Sequence, residues 1–88
     1  MSATIDESGL AGLAPDHAVD ARGSACPGPL LEAKKGIGGV PVGGVLEIMS
    51  SDPQTKTDIE AWAGKVGHAY LGHVVADGYD RVFIRRAK

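Results

Sequence analysis

The order of elements along this sequence predicts an α+β fold: a two-layer α/β sandwich, βαβαββ, whose four-stranded mixed sheet carries two helices on one face. Three observations predict it. Two segments place apolar residues at helical spacing, and each follows a short strand candidate. Asp77-Gly78 is the strongest two-residue hairpin signal, and it divides the C-terminal part into two strands. The chain has 88 residues, 43% hydrophobic and 23% charged, which suits one small globular domain.

Residues 1–16 read as a flexible lead-in, and residues 17–88 as the single domain. Gly9, Gly12 and Pro15 interrupt any helix in the lead-in beyond a short turn around Leu10 and Leu13. His17 to Asp20 is the first strand, stopped by Gly23. The first helix begins near Pro27 to Pro29, where a missing N–H is harmless. Leu30, Ala33 and Ile37 then share one face. Gly36, Gly38 and Gly39 each cost about 1 kcal/mol against Ala, so its far end is expected to be short or frayed.

Pro41 to Gly44 forms a turn. Val45 to Ser50 is mostly apolar, as a central buried strand should be, and Asp52-Pro53 ends it. Thr55 is the expected cap of the second helix, with Asp58 three residues on. Ile59, Trp62, Ala63 and Val66 fall on one face, and Gly67 supplies the C-terminal stop. Trp62 is read as core. Ala69 to Ala76 and Tyr79 to Arg86 form the hairpin. Val82 and Ile84 alternate with Arg81, Phe83 and Arg85, so one face is expected to be apolar and the other mostly polar and partly solvated.

Composition excludes several classes of function. One cysteine permits neither an internal disulfide nor a cysteine-rich metal cluster. A net charge of -2 argues against a general nucleic-acid binder. The first residues carry Asp6 and Glu7 and no basic apolar leader, and no run approaches the roughly 20 apolar residues that span a bilayer. The expectation is a cytoplasmic protein that makes no use of membranes, with its thiol kept reduced.

Cys26 carries the chemistry. It stands at a strand-to-helix junction, where free N–H groups and about half a positive charge favour a thiolate. Arg22 can add to that field. Gly23, Ser24, Ala25 and Gly28 put little bulk around the sulfur, and Pro27 and Pro29 stiffen the loop. An exposed thiolate of this kind can attack a donor persulfide, hold the outer sulfur as Cys–S–SH and pass it on. No second cysteine is present to resolve the persulfide into an internal disulfide, which favours a carrier over a dithiol oxidoreductase. The bland alternative is a small buried hydrophobe.

Other candidates are weaker. His17, His68 and His73 match no zinc spacing, so no metal is expected. The glycines at 36, 38, 39, 43 and 44 lack the Gly-Lys-Ser/Thr of a phosphate loop. The basic C-terminus, Arg81, Arg85, Arg86 and Lys88, is a solvated edge or, through Arg85 and Arg86, a docking patch for an acidic partner or an RNA backbone.

Two motifs resemble the TusA (SirA-like) sulfur carrier family over about residues 17 to 86. Asp20, Gly23, Cys26, Pro27 and Pro29 match Asp-x-x-Gly-x-x-Cys-Pro-x-Pro. Asp52-Pro53, Asp58-Ile59, Trp62 and Gly67-His68 match the second. The resemblance implies the βαβαββ sandwich, a persulfide on Cys26 and no cofactor beyond it. It implies a cysteine desulfurase or rhodanese-like donor, and a DsrE-like or tRNA-thiolation acceptor. The pathways it offers are tRNA thiolation, molybdenum-cofactor synthesis and sulfur oxidation. Such a chain is a sulfurtransferase-type carrier and not a stand-alone turnover enzyme. It departs from the family at Ser24, where a bulky apolar residue is usual. Ala63 replaces a cysteine found in many members, and Gly44 an acidic residue. The rival expectation is a non-catalytic module that binds protein or RNA.

Overall fold

The computed structural model describes residues 14–25 and 28–88. The helical turn expected at Leu10 and Leu13 lies outside them, as do Cys26 and Pro27. The elements run β1 (His17–Asp20), α1 (Gly28–Gly36), a 3-10 turn (Ile37–Gly39), β2 (Val45–Ser50), α2 (Thr55–Val66), β3 (Ala69–Val75) and β4 (Asp80–Arg85). The four strands form one sheet in the order β1-β2-β4-β3. β1 pairs parallel with β2, and both pairings of β4 are antiparallel. The sheet is mixed, as predicted, and the apolar strand β2 is central.

Cross-strand partners fix the two faces. Leu46 pairs with Ile84 and Ile48 with Val82. These four form one fully buried cluster with Ala33 of α1 and with Ile59 and Ala63 of α2. Both helices therefore cover the same face. Trp62, read as core, packs against this cluster while only half buried. At a roughly estimated 1.5–3 kcal/mol for each large aliphatic side chain removed from water, this layer is the main source of stability.

The opposite face departs from the expectation. Phe83, placed among polar residues by simple alternation, is fully buried with Val45, Leu71 and Val74. A bulge between Tyr70 and Gly72 inserts Leu71 as an extra residue opposite Phe83. Gly72 takes φ 130° there. The bulge brings an additional apolar side chain to this face, which period-two counting cannot foresee. Beside Phe83, the Arg81 guanidinium lies 5.2 Å from its ring centroid.

Local signals held, with one correction at Thr55. Gly67 is left-handed (φ 87°), and the next residue, His68, donates its N–H to Ala63 O at 2.8 Å, ending α2. Thr55 does not cap α2: it is already helical, and its Oγ1 lies 2.7 Å from Ser50 Oγ in the buried layer. Asp52 serves the helix entry instead, accepting from Gln54 N–H through Oδ1 at 3.0 Å and from Thr55 N–H through its carbonyl at 3.1 Å. In the hairpin Gly78 has φ 83° and no non-glycine residue has positive φ, so Asp77-Gly78 is not a type I′ turn.

α1 closes at Gly36 for a packing reason. A Cβ there would stand 2.6 Å from Val19 Cγ2 and 3.2 Å from Leu46 Cδ1. Only glycine lets the helix approach β1 and β2 this closely. The chain then tightens into the 3-10 turn where fraying was expected.

Candidate functional site

The segment that leads to Cys26 leaves β1 at one end of the sheet. Ala21 is buried, and its N–H donates to Met49 O at 2.8 Å, extending the pairing with β2 by one residue. Arg22, Gly23, Ser24 and Ala25 are exposed. Their shape is set by hydrogen bonds. Asp20 Oδ1 accepts from Arg22 N–H at 3.1 Å, Ser51 Oγ accepts from Gly23 N–H at 2.9 Å, and Ala21 O accepts from Ser24 N–H at 3.2 Å. Gly23 adopts φ 86°, a conformation that other residues rarely take.

Arg22 is already engaged. Its Nε and Nη2 donate to the two Asp20 carboxylate oxygens at 2.8 and 2.7 Å, and its guanidinium stands 4.8 Å from the Tyr79 ring centroid. Arg22 hydrogen bonding to the side chain holds the Asp20 carboxyl at about 2, well below the ordinary range. The same bond raises the pKa of Arg22. The arginine thus ties the end of β1 to the hairpin before β4.

On the helical side, Gly28 N–H donates to Ala25 O at 2.8 Å. Pro29 is buried in the first turn of α1. Gly28 sits close to Ser24: a Cβ on it would lie 3.0 Å from Ser24 Cβ. The first turn of α1 carries no acidic residue, and Lys34 and Lys35 lie in its last turn. Nothing acidic in that first turn offsets the positive end of the helix dipole.

Three clefts stand out among the described residues. One, of about 270 Å³, is lined by Gly23, Ser24, Ala25, Ser51, Asp52 and Pro53. A second, of about 330 Å³, shares Ser51 and Pro53 with it and reaches the half-buried Tyr79 and the exposed Val75. The third, also about 330 Å³, lies between the helices over Leu30, Ala61 and Trp62, with Lys34 and Lys65 at its rim. Ser51 and Tyr79 were not singled out by sequence reasoning, and Pro53 only as a strand end and a motif position. The run Ser50-Ser51-Asp52-Pro53 after an apolar strand was the available signal, since hydroxyls there serve backbone N–H groups.

The basic C-terminus breaks up into separate roles. Arg81 donates from Nε and Nη2 to Glu47 at 3.1 and 3.2 Å. Arg86 turns inward, donating to Val40 O at 2.7 Å, Ile37 O at 3.3 Å and Lys88 O at 2.7 Å. Arg85 alone of the two docking candidates is exposed. His68 is half-buried, accepts Ala87 N–H on Nδ1 at 3.1 Å and meets Trp62 edge-on at 5.8 Å. Burial, with the charges of Arg86 and Lys88, lowers its pKa. Among the described residues no group of three or more His, Cys, Asp and Glu side chains is placed to hold a metal ion. No described helix is long and apolar enough to cross a membrane.

A family model for the sulfurtransferase TusA matches residues 17–86. The chain belongs to the TusA family. A proposed sulfur carrier protein of Archaeoglobus fulgidus is 43% identical over 70 residues, covering 80% of this chain and 96% of that one. The sulfur carrier protein TusA of Pseudomonas entomophila is 34% identical over 71 residues, 81% of this chain and 89% of its own. The crystal structure of a SirA-like protein from Desulfitobacterium hafniense superposes with a TM-score of 0.65 at 25% identity, over 82% of this chain and 99% of that one.

Two departures of this TusA sequence acquire a structural meaning. Ala63 is fully buried in the helix-side core, so a cysteine there would be enclosed as well. At Gly44 a Cβ would lie 2.8 Å from Asp16 Oδ2 and 2.9 Å from Pro41 O. The space is taken by Asp16, which accepts Val45 N–H through that oxygen at 2.8 Å.

Proposed function

We propose that this TusA-family chain is a sulfur carrier that loads sulfane sulfur on Cys26 as a persulfide and relays it to an acceptor protein. The Cys26 thiolate attacks the outer sulfur of a donor persulfide. The bond between the two donor sulfurs breaks, and the donor leaves as a thiolate. An acceptor thiolate then attacks the outer sulfur of Cys26–S–S⁻ and releases the Cys26 thiolate. One sulfur atom moves in each step, with no net electron transfer and no cofactor.

One observation carries the reading. The only cysteine stands two residues before a helix whose first turn bears no acid, in a segment whose preceding residues are exposed and held by side-chain hydrogen bonds. A helix start of this kind favours a thiolate over a thiol. The exposed residues that precede it suit a sulfur that must meet two different proteins. The donor is proposed to be a cysteine desulfurase or rhodanese-like protein, and the acceptor a DsrE-like or tRNA-thiolation protein. The free thiol fits a reducing, cytoplasmic setting. Arg22, Gly23, Pro27, Gly28 and Pro29 shape the loop, with Arg85 a candidate docking residue.

The test is intact mass after incubation with a sulfane-sulfur donor. The expected result is a gain of one sulfur atom that reductant removes and that Cys26→Ser lacks. No gain across several donors would overturn the proposal and favour a binding module.

A further inference from the structure

Three successive backbone N–H groups before Cys26 are met by three different acceptors. Two of these are local: Asp20 takes Arg22 N–H and Ala21 O takes Ser24 N–H. The third is not. Ser51 Oγ takes Gly23 N–H at 2.9 Å across 28 positions of sequence. A Cβ built on Gly23 would meet nothing within 4 Å, so no side chain covers that side of it. Its left-handed backbone (φ 86°) presents its N–H to the Ser51 hydroxyl.

The other side of this bond is firmly seated. Ser50, next to Ser51, is fully buried at the end of the central strand. Its Oγ lies 2.7 Å from Thr55 Oγ1 and accepts Asp52 N–H at 3.1 Å. Ser51 is thus carried by a junction of β2 and α2 that the core immobilises. Its hydroxyl is the link from that junction to the exposed arm of residues 22–25.

We propose that Ser51 is a positioning residue for Cys26: its hydroxyl holds the arm of residues 22–25 that leads into the cysteine. The inference rests on reading Cys26 as the sulfur-bearing nucleophile. Cys26 is joined by two covalent steps to the helix start and by three to Gly23. Freeing Gly23 loosens residues 22–25, which lead into Cys26, and the pH dependence of the thiol's reactivity reads that change.

The cleanest test compares Ser51→Thr with Ser51→Val, which have the same shape and differ in the hydroxyl alone. Alkylation of Cys26 by iodoacetamide is measured against pH, with sulfur loading by intact mass and thermal melting alongside. Ser51→Thr is expected to follow the wild type. Ser51→Val is expected to move the alkylation midpoint up by about half a pH unit, a roughly threefold loss of thiolate below the midpoint, and to slow loading with it. Both variants are expected to melt close to the wild type, since an exposed hydrogen bond contributes about 1 kcal/mol or less. Coincident pH profiles for the two variants would overturn the proposal. If the wild type takes up no sulfur while the profiles still differ, the carrier reading fails and the positioning role stands. If all three proteins load alike and the profiles coincide, the carrier reading stands and Ser51 has no such role.

Discussion

On the helix side of the sheet, Leu46, Ile48, Val82 and Ile84 are fully buried among aliphatic neighbours from α1 and α2. On the other side Phe83 is just as buried, but among the described residues its surroundings include no helix. Val45, Leu71 and Val74 touch it, Arg81 lies over its ring, and Glu47 pairs with that arginine. The first face is closed by a second layer of secondary structure. Among the described residues the second is covered by a bulge, a ring and an ion pair. An apolar layer tolerates loss of volume poorly. An ion pair tolerates loss of one partner poorly and loss of both far better.

The largest expected effect is on the helix side. Ile48→Ala should lower unfolding free energy by about 2–5 kcal/mol, read from urea denaturation. Phe83→Leu should lose about 1.5 kcal/mol, because it keeps most of the apolar volume. A greater loss from Phe83→Leu than from Ile48→Ala would break the contrast between the faces.

Next comes the ion pair. Arg81→Met alone should cost roughly 2 kcal/mol, since it strands the Glu47 carboxylate. Adding Glu47→Leu should return most of that, by the logic of replacing both charges with apolar groups. A double variant less stable than the single one would mean that the pair itself stabilises this face.

Gly36→Ala tests the approach of α1 to the sheet. Helix propensity alone favours Ala by about 1 kcal/mol. The clash with Val19 should outweigh this and leave a net loss of about 1 kcal/mol by the same denaturation. A gain in stability would show that β1 yields without strain.

The smallest effects are electrostatic. The folded pKa of His68 is lowered, so the fold favours its neutral ring. Its contribution is present above the unfolded value of about 6.5 and is lost as pH falls through the folded value. Thermal melting between pH 7 and 5 should show a drop that His68→Gln diminishes. Asp20 should titrate at about 2 by carboxyl-carbon NMR. Its favourable contribution is present above about 3.9 and is lost as pH falls through that lower value. Arg22→Gln should return the midpoint toward the ordinary range, and an unmoved midpoint would show that Arg22 is not its cause.

The sequence alone was enough for much of this. Helical spacing of Ile59, Trp62 and Ala63, and the stop at Gly67, follow from local stereochemistry. So does the hairpin at Asp77-Gly78. Val66, at the same helical spacing, is instead exposed at the helix end. The motif around Cys26 was legible because a helix start beside a lone thiol is written in adjacent residues. Where adjacent residues had long-range partners, reading failed. Phe83 was assigned to a polar face because period-two alternation takes no account of a bulge in the neighbouring strand. Thr55 was read as a cap because its buried partner, Ser50, is across the strand end. Arg86 looked like part of a basic patch, yet its guanidinium serves carbonyls 46 and 49 positions away.

Element order and the covered face were thus determined by the sequence itself, through periodicity and glycine and proline stereochemistry. Tertiary structure decided which acceptors meet the N–H groups before Cys26, what closes the helix-free face and which arginines stay exposed. Those depend on distances between residues remote in sequence, which the folded chain creates and no local pattern encodes.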